Sequence, residues 1–233
     1  MSKKRHGAVY EPFGDVRSEI RTLTRDYPPG HIIPLHFHNR DQLVYGSRGV
    51  MTVRTTRGTW VAPAYRAVWI PAGVPHTITI SGAVAMRTLY LKPRLSRTLP
   101  RDCCVVNVSP LLKELILHAC KFESLRKRMK KQRHLLQLLL DQMEEIQTVP
   151  LQLPNPSDAR ALRVAQALAA DPGGPRALAD ICKAADASKR TIERIFQDEV
   201  GMTLGKWRQQ LRLMQAMRLS ILFRIPATHV VFT

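Results

Sequence analysis

Among these 233 residues no run of about 18 consecutive apolar residues occurs, so no helical membrane span is predicted. Acidic residues are scarce. Only 18 Asp/Glu stand against 36 Lys/Arg, a formal net charge of +18. That imbalance points to a polyanionic partner or to a solvated basic surface. Cysteine is sparse as well. Cys103 and Cys104 are adjacent, Cys120 and Cys182 stand apart, and no C-x-x-C occurs, so a disulfide scaffold is excluded and all four read as reduced thiols. The basic start Met1-Ser2-Lys3-Lys4-Arg5 lacks a following apolar segment and soon meets Pro12 and Gly14. It is not a secretory signal, and the expected location is the cytoplasm. Charge does not locate a function: residues 1–100 already hold 15 Lys/Arg against 5 Asp/Glu, so the excess is spread along the chain.

What is present changes character along the sequence. Residues 20–92 carry short β-rich runs between turn signals. Val50 to Thr55 lies between Gly49 and Gly58, Ala67 to Ile70 stops at Pro71, Thr77 to Ile80 stops at Ser81-Gly82, and Met86 to Leu91 stops at Pro93. Such spacing predicts a sandwich or barrel. After Pro110 the period becomes helical, with Leu111, Leu115, Ile116 and Ala119 on one face and Leu135, Leu136, Leu139, Leu140 and Met143 on another. Those faces would pack on the β region or on a second subunit. Between them, Arg126-Lys127-Arg128-Met129-Lys130-Lys131 reads first as a solvated charge run and second as a nucleic-acid patch. Thr148 to Pro156, with Pro150, Pro154 and Pro156, reads as a linker, and the remainder reads as helical.

Two constellations carry chemistry. In the first, His36 and His38 lie two residues apart and face one side of a strand. Gln42 and His76 would complete a cluster able to bind Zn, Fe, Ni or Cu, or to form a hydrogen-bonded pocket floor without metal. Gly30, His36, His38, Gln42 and Gly49, then Pro71, Gly73 and His76, resemble the cupin pattern, with Gln42 in place of its Glu, Tyr65 in place of a Gly and Ile80 in place of an Asn. The neutral Gln42 argues against a complete oxygenase-type site. Asn39-Arg40-Asp41 beside the cluster contributes pocket specificity or a turn, and Trp60 and Trp69 read as core.

In the second, Ser157 or Asp158 caps a helix with Ala161, Val164, Ala165 and Leu168 inward. A second helix holds Leu178, Ile181 and Cys182. After the turn Ala185-Asp186-Ala187, Ser188 caps a third, whose exposed face carries Lys189, Arg190, Glu193, Arg194 and Gln197, and Gly201 stops it. Thr203 caps the next, from Leu204 to about Leu219. A helix-turn-helix of this kind reads the major groove, with Arg and Gln reading guanine and adenine edges. The stretch from Leu178 through Arg212 is similar to the first helix-turn-helix of the AraC/XylS family. That resemblance implies DNA contacts from Ser188, Lys189, Arg190, Thr191, Glu193, Arg194 and Gln197, and from Arg208 in the following helix. Asp186 stands where the family often has Gly, and it tolerates the left-handed conformation better than most residues. The family's second helix-turn-helix is not matched by the β-branched tail Ser220 to Thr233, which reads as a truncation.

The expectation is therefore a multi-domain chain: an N-terminal all-β cupin (jelly-roll) barrel and a C-terminal all-α helix-turn-helix domain. Residues 1–100 form an effector-sensing domain, 101–147 a helical connector with a role in dimerisation, 148–157 the linker, 158–219 an incomplete DNA-binding domain and 220–233 an atypical tail. The expected function is a sequence-specific regulator of transcription, not an enzyme, activating or repressing as a homodimer. Its partners are double-stranded DNA and a small-molecule effector, with a divalent transition metal in the cupin pocket as the cofactor to test, and no membrane. The alternatives are a sensor that no longer binds DNA and pairs with an intact relative, or a metal-dependent cupin enzyme.

Overall fold

The computed structural model describes residues 9–10 and 17–222. The chain divides into two compact units, the first running to residue 152 without 56–59, the second comprising 56–59 and the chain from 153 onward.

The first unit is built from strands β1 (Val9–Tyr10), β2 (Ile20–Tyr27), β3 (Ile32–Phe37), β4 (Asp41–Gly46), β5 (Val50–Thr55), β6 (Gly58–Pro63), β7 (Arg66–Ile70), β8 (His76–Ser81), β9 (Val84–Leu91), β10 (Cys104–Asn107), β11 (Ser124–Leu125) and β12 (Thr148–Val149). One sheet has the order β1-β3-β8-β5-β6, the other β11-β2-β9-β4-β7-β10-β12. Alternating side chains from both sheets make the interior: Val44, Val68, Ile70 and Met86 from one meet Met51, Val53, Ile78 and Ile80 from the other. This is a two-sheet β-sandwich. Of the sandwich or barrel that the strand spacing allowed, the sandwich is formed; the closed barrel expected with the cupin resemblance is not formed among the described residues, because the strands divide into two separate ladders that pack face to face.

Helices α1 (Pro110–Ala119) and α2 (Lys130–Glu144) cover the outer face of the larger sheet. Leu112, Ile116 and Ala119 of α1 and Leu136, Leu139 and Met143 of α2 join Ile20, Leu43, Leu89 and Leu91 in one core. Segment 101–147 is thus built into the sandwich's second hydrophobic layer and also supplies β10, paired with β7. Leu111, read from its spacing as inward, is 50% exposed: it sits in the first turn beside the Ser109 cap, off the face that meets the sheet. The Pro-rich segment 148–157 holds β12, paired with β10, and a short strand β13 (Gln152–Pro154).

The second unit contains α3 (Ala159–Ala170), α4 (Leu178–Lys183), α5 (Lys189–Ile195) and α6 (Leu204–Leu222). Its first helix buries Ala161, Val164, Ala165 and Leu168, the face set by their spacing. The Asp158 carboxylate accepts the backbone N–H groups of Arg160 (2.8 Å) and Ala161 (3.2 Å). The segment expected to continue α5 to Val200 instead widens into a π turn at Phe196–Val200, closed by Gly201 in the left-handed conformation (φ 73°). Phe196 and Trp207 pack edge to face at 5.5 Å, and the Trp207 indole donates to the Pro154 carbonyl at 2.8 Å. Residues 223–233, most of the tail singled out in the sequence, lie outside the described residues.

Candidate functional site

The site in the first unit begins with a proline. Ile33 pairs with Ile78, but His36, three residues on, pairs with His76, two residues back. β3 therefore carries one extra residue, a bulge spanning Pro34-Leu35. Pro34 has no N–H for the ladder, which makes it suited to this place. The extra residue also reverses parity. Ile33 packs toward the interior, and past the bulge it is His36 and His38 that are buried, while Leu35 and Phe37 are only half-buried.

His76 arrives from the turn Pro71–Pro75, tied down at two points. The Gly73 N–H donates to the His38 carbonyl (2.8 Å) and the Ala72 N–H to the Asp41 carboxylate (2.7 Å), while Ser96 donates its hydroxyl to the other oxygen of Asp41. Gly73 has φ +78° in open space, so its requirement for glycine is conformational. Asn39-Arg40-Asp41 is thus more than a turn: Asp41 positions the histidine-bearing loop, and Arg40 donates to the carbonyls of Ser18 and Glu19.

The three imidazoles are buried together. Their ring centroids are 4.3 Å (His36–His76), 4.9 Å (His36–His38) and 5.8 Å (His38–His76) apart. One nitrogen from each lies within 4.8 Å of the others, close enough to hold a metal ion. His36 Nδ1 lies 2.7 Å from the Pro34 carbonyl and His76 Nδ1 2.9 Å from that of Val74. Carbonyls only accept, so both Nδ1 atoms carry a proton, which turns the Nε2 side of each ring toward the cluster's other donors, the arrangement of a metal-ligating histidine with its orienting partner. Burial, then the neighbouring His36 and His38, hold the His76 pKa down at about 3, against the upward pull of the Val74 carbonyl. The ring is neutral at physiological pH.

Gln42 is buried on β4, opposite Tyr90 and Ile70. Its Nε2 donates to the Tyr90 hydroxyl at 3.3 Å, and the Tyr90 ring stands edge-on to His38 at 4.9 Å. Among the described residues, Gln42 Oε1 and His76 Nε2 have no hydrogen-bond partner. Buried polar atoms in that state are costly, and the pair is suited to a bound ion or ligand atom. Tyr90 was missed in the sequence. Its alternation with Met86 and Thr88 marks the inward face of β9, but only the register of β9 on β4 sets it beside Gln42.

In the second unit, the turn into α5 places Asp186 at φ 58°, held by Arg163, which donates to its carboxylate (3.3 Å) and to the Ala185 carbonyl (2.9 Å). The Ser188 hydroxyl accepts the Thr191 N–H at 3.1 Å. Lys189, Arg190, Glu193, Arg194 and Gln197 are all exposed, and Ile192, Ile195 and Phe196 are buried. Lys189 and Glu193 form an i,i+4 ion pair at 3.5 Å. Thr191 is half-buried against Ser188. Arg208 is also half-buried and reaches the Gly174 carbonyl at 3.5 Å. Glu199, which sequence reasoning passed over, accepts from Ser157 N–H (2.6 Å), Ser157 Oγ (2.9 Å) and Asp158 N–H (3.0 Å), tying the end of the π turn to the start of α3.

These features define a class: a cupin-like β-sandwich followed by a helical segment. Residues 21–162 match the AraC-like ligand binding domain family. The chain is 30% identical over 185 residues to the HTH-type transcriptional regulator NimR of Escherichia coli K12, covering 79% of this chain and 67% of that protein. Among solved structures, ToxT of Vibrio cholerae, crystallised with an unsaturated fatty acid, superposes with a TM-score of 0.39 at 9% identity, over 92% of this chain and 83% of that one. A cupin superfamily protein of Desulfitobacterium hafniense gives 0.30 at 15% identity, over 31% of this chain and 67% of that one. This protein belongs to the AraC family of transcription regulators. The homology is to a regulator and not to an enzyme family. No helix among the described residues is long and apolar enough to cross a membrane.

Proposed function

We propose that this protein is a sequence-specific DNA-binding regulator, active as a homodimer, whose β-sandwich senses a small molecule. One observation carries the DNA half. A capped helix, α5, is anchored by a buried apolar face and offers Lys189, Arg190, Arg194 and Gln197 to solvent behind a tight left-handed turn. This supports a helix-turn-helix formed by α4 and α5. Arg190, Arg194 and Gln197 carry the chemistry to read base edges, and Ser188, Lys189 and Thr191 to contact phosphate. Glu193 is paired with Lys189 and orients it. Arg208 buttresses the loop at Gly174. Two copies would present two such helices to successive half-sites.

The sensing half rests on His36, His38, Gln42 and His76. The donor set fits a divalent transition metal of the Zn, Cu or Ni kind: three imidazoles and, beside them, the amide oxygen of Gln42, without a carboxylate. A bound ion would supply a Lewis-acidic anchor for an oxygen or nitrogen of the effector. The chain's own contribution is orientation, through the carbonyls of Pro34 and Val74 and the Tyr90 hydroxyl.

The test is selection from fragmented genomic DNA at about 0.15 M salt with excess competitor, conditions that screen non-specific attraction. Enrichment of particular fragments is expected, with loss of that selectivity in Arg190→Ala/Arg194→Ala at about 1–3 kcal/mol per base contact. Uniform weak retention would leave a sensor that does not read DNA. Calorimetric titration with Zn²⁺ and Ni²⁺ tests the sensing half, with binding lost in His36→Ala.

A further inference from the structure

The cationic run from Arg126 into the first turn of α2 belongs neither to the histidine cluster nor to the exposed face of α5. Arg126, Lys127, Arg128, Lys130, Lys131 and Arg133 are all exposed. They are held in a defined shape rather than on a loose tail. β11 pairs with β2 just before them, the Met129 N–H donates to the Arg126 carbonyl (3.2 Å), and the buried Gln132 side chain accepts the Arg126 N–H (2.9 Å). Among the described residues no ion pair engages Lys127, Arg128, Lys130, Lys131 or Arg133. The acids at this sheet edge form their ion pairs elsewhere, Glu19 with Arg94 at 2.8 Å and Glu123 with Arg21 at 3.2 Å, although Lys127 also lies within the electrostatic reach of Glu19.

Stability does not account for the cluster. α2 opens with no capping side chain and no acid in its first turn. Cations there face the positive end of the helix, where electrostatics favours carboxylates. A second copy of the same patch would be repelled by it. An acidic protein would need an apolar anchor ringed by polar groups, and among these cations only Met129 is apolar. Several unpaired cations on a rigid turn match the spacing-tolerant, sequence-independent contacts of a phosphate backbone.

We propose that this patch on the sensor unit is a second DNA contact, gripping the phosphate backbone without reading sequence. It deepens the regulator reading above and rests on it for the identity of the polyanion.

The experiment measures binding of the full-length chain to a selected fragment and to random duplex DNA between 50 and 200 mM salt. Lys127→Gln/Arg128→Gln/Lys130→Gln/Lys131→Gln is compared with a control losing the same charge from exposed sites elsewhere, Arg54→Gln/Arg97→Gln/Arg101→Gln/Lys121→Gln. The patch variant should weaken binding to both DNAs alike and reduce the log–log salt slope by about 2–4, with the control close to wild type. Circular dichroism of each variant checks that the fold is kept. An unchanged slope in the patch variant, or an equal drop in the control, overturns the proposal. Arg190→Ala/Arg194→Ala separates it from the reading of α5. If that variant keeps full sequence choice while the patch variant loses slope, α5 is not the reader and the patch contact stands.

Discussion

One unit buries its polar chemistry and the other exposes it. In the sandwich, His36, His38, Gln42 and His76 are all at most 4% exposed; carbonyls two residues upstream orient His36 and His76, and Tyr90 of another strand orients Gln42. In the helical unit, Lys189, Arg190, Arg194 and Gln197 are exposed, and what surrounds them is a local scaffold of caps and a turn. A buried site requires a precise surround because each unmatched polar atom is costly. An exposed one requires only a rigid platform, since water satisfies its groups until a partner arrives. The units should therefore fail in different ways.

The largest expected effect breaks the platform alone. Trp207→Ala removes the partner of Phe196 and the bond to Pro154, at about 3–5 kcal/mol. A two-step thermal melt should lose its helical transition while the sandwich transition and metal binding persist. Loss of both steps together would show that the units fold as one.

Acid separates the units next. The folded pKa of His76 lies near 3, below its ordinary 6.5. The unfolded chain takes up a proton that the native site refuses. Stability is complete above pH 6.5 and declines as pH falls toward 3, by up to about 1.4 kcal/mol per pH unit. Hydrogen bonds from Asp158 and Ser157 hold the Glu199 carboxyl below its usual range, so its contribution in the helical unit is lost only as pH falls below about 4.5. The sandwich should loosen first on acidification, followed by fluorescence of Trp60 and Trp69 against that of Trp207. His76→Leu should flatten the sandwich's decline while abolishing metal binding.

Smaller effects test the positioning. Gly73→Ala forces a Cβ into the left-handed region, about 1–2 kcal/mol, and should weaken metal binding as well as stability because His76 hangs from that turn. Stability loss with unchanged metal affinity would separate the turn from the site. Smallest is Glu199→Gln, which keeps shape and removes charge. A modest drop in the helical unit's melting midpoint is expected, with the sandwich unmoved.

Legibility followed the same division. The helical unit was readable because its determinants are local. Asp158, Ser188 and Thr203 cap as read, Asp186 and Gly201 take the left-handed conformation, and the spacing of Ala161, Val164, Ala165 and Leu168 marks the buried face. The π turn after Ile195 was not readable, because the Phe196–Trp207 contact and the tie from Glu199 to Ser157 and Asp158 join residues distant in sequence. In the sandwich, the motif spacing picked out the histidines but not Tyr90, and it placed Asp41 beside the cluster without marking it as the anchor of the His76 turn. Leu111 looked like its inward neighbours because periodicity does not say where a covering sheet ends.

The sequence by itself determined which residues could act: the His-x-His pair, the glycine of the turn before His76, the caps around α5 and the cation-rich run leading into α2. It did so because strand parity, helix period and backbone conformation are properties of neighbours. Only the tertiary structure decided that His36 stands opposite His76. That pairing depends on one extra residue at Pro34, a register between strands some forty residues apart, and a turn pinned to Asp41 and His38. Cross-strand register is set by how two sheets pack a shared interior, and no local pattern encodes it.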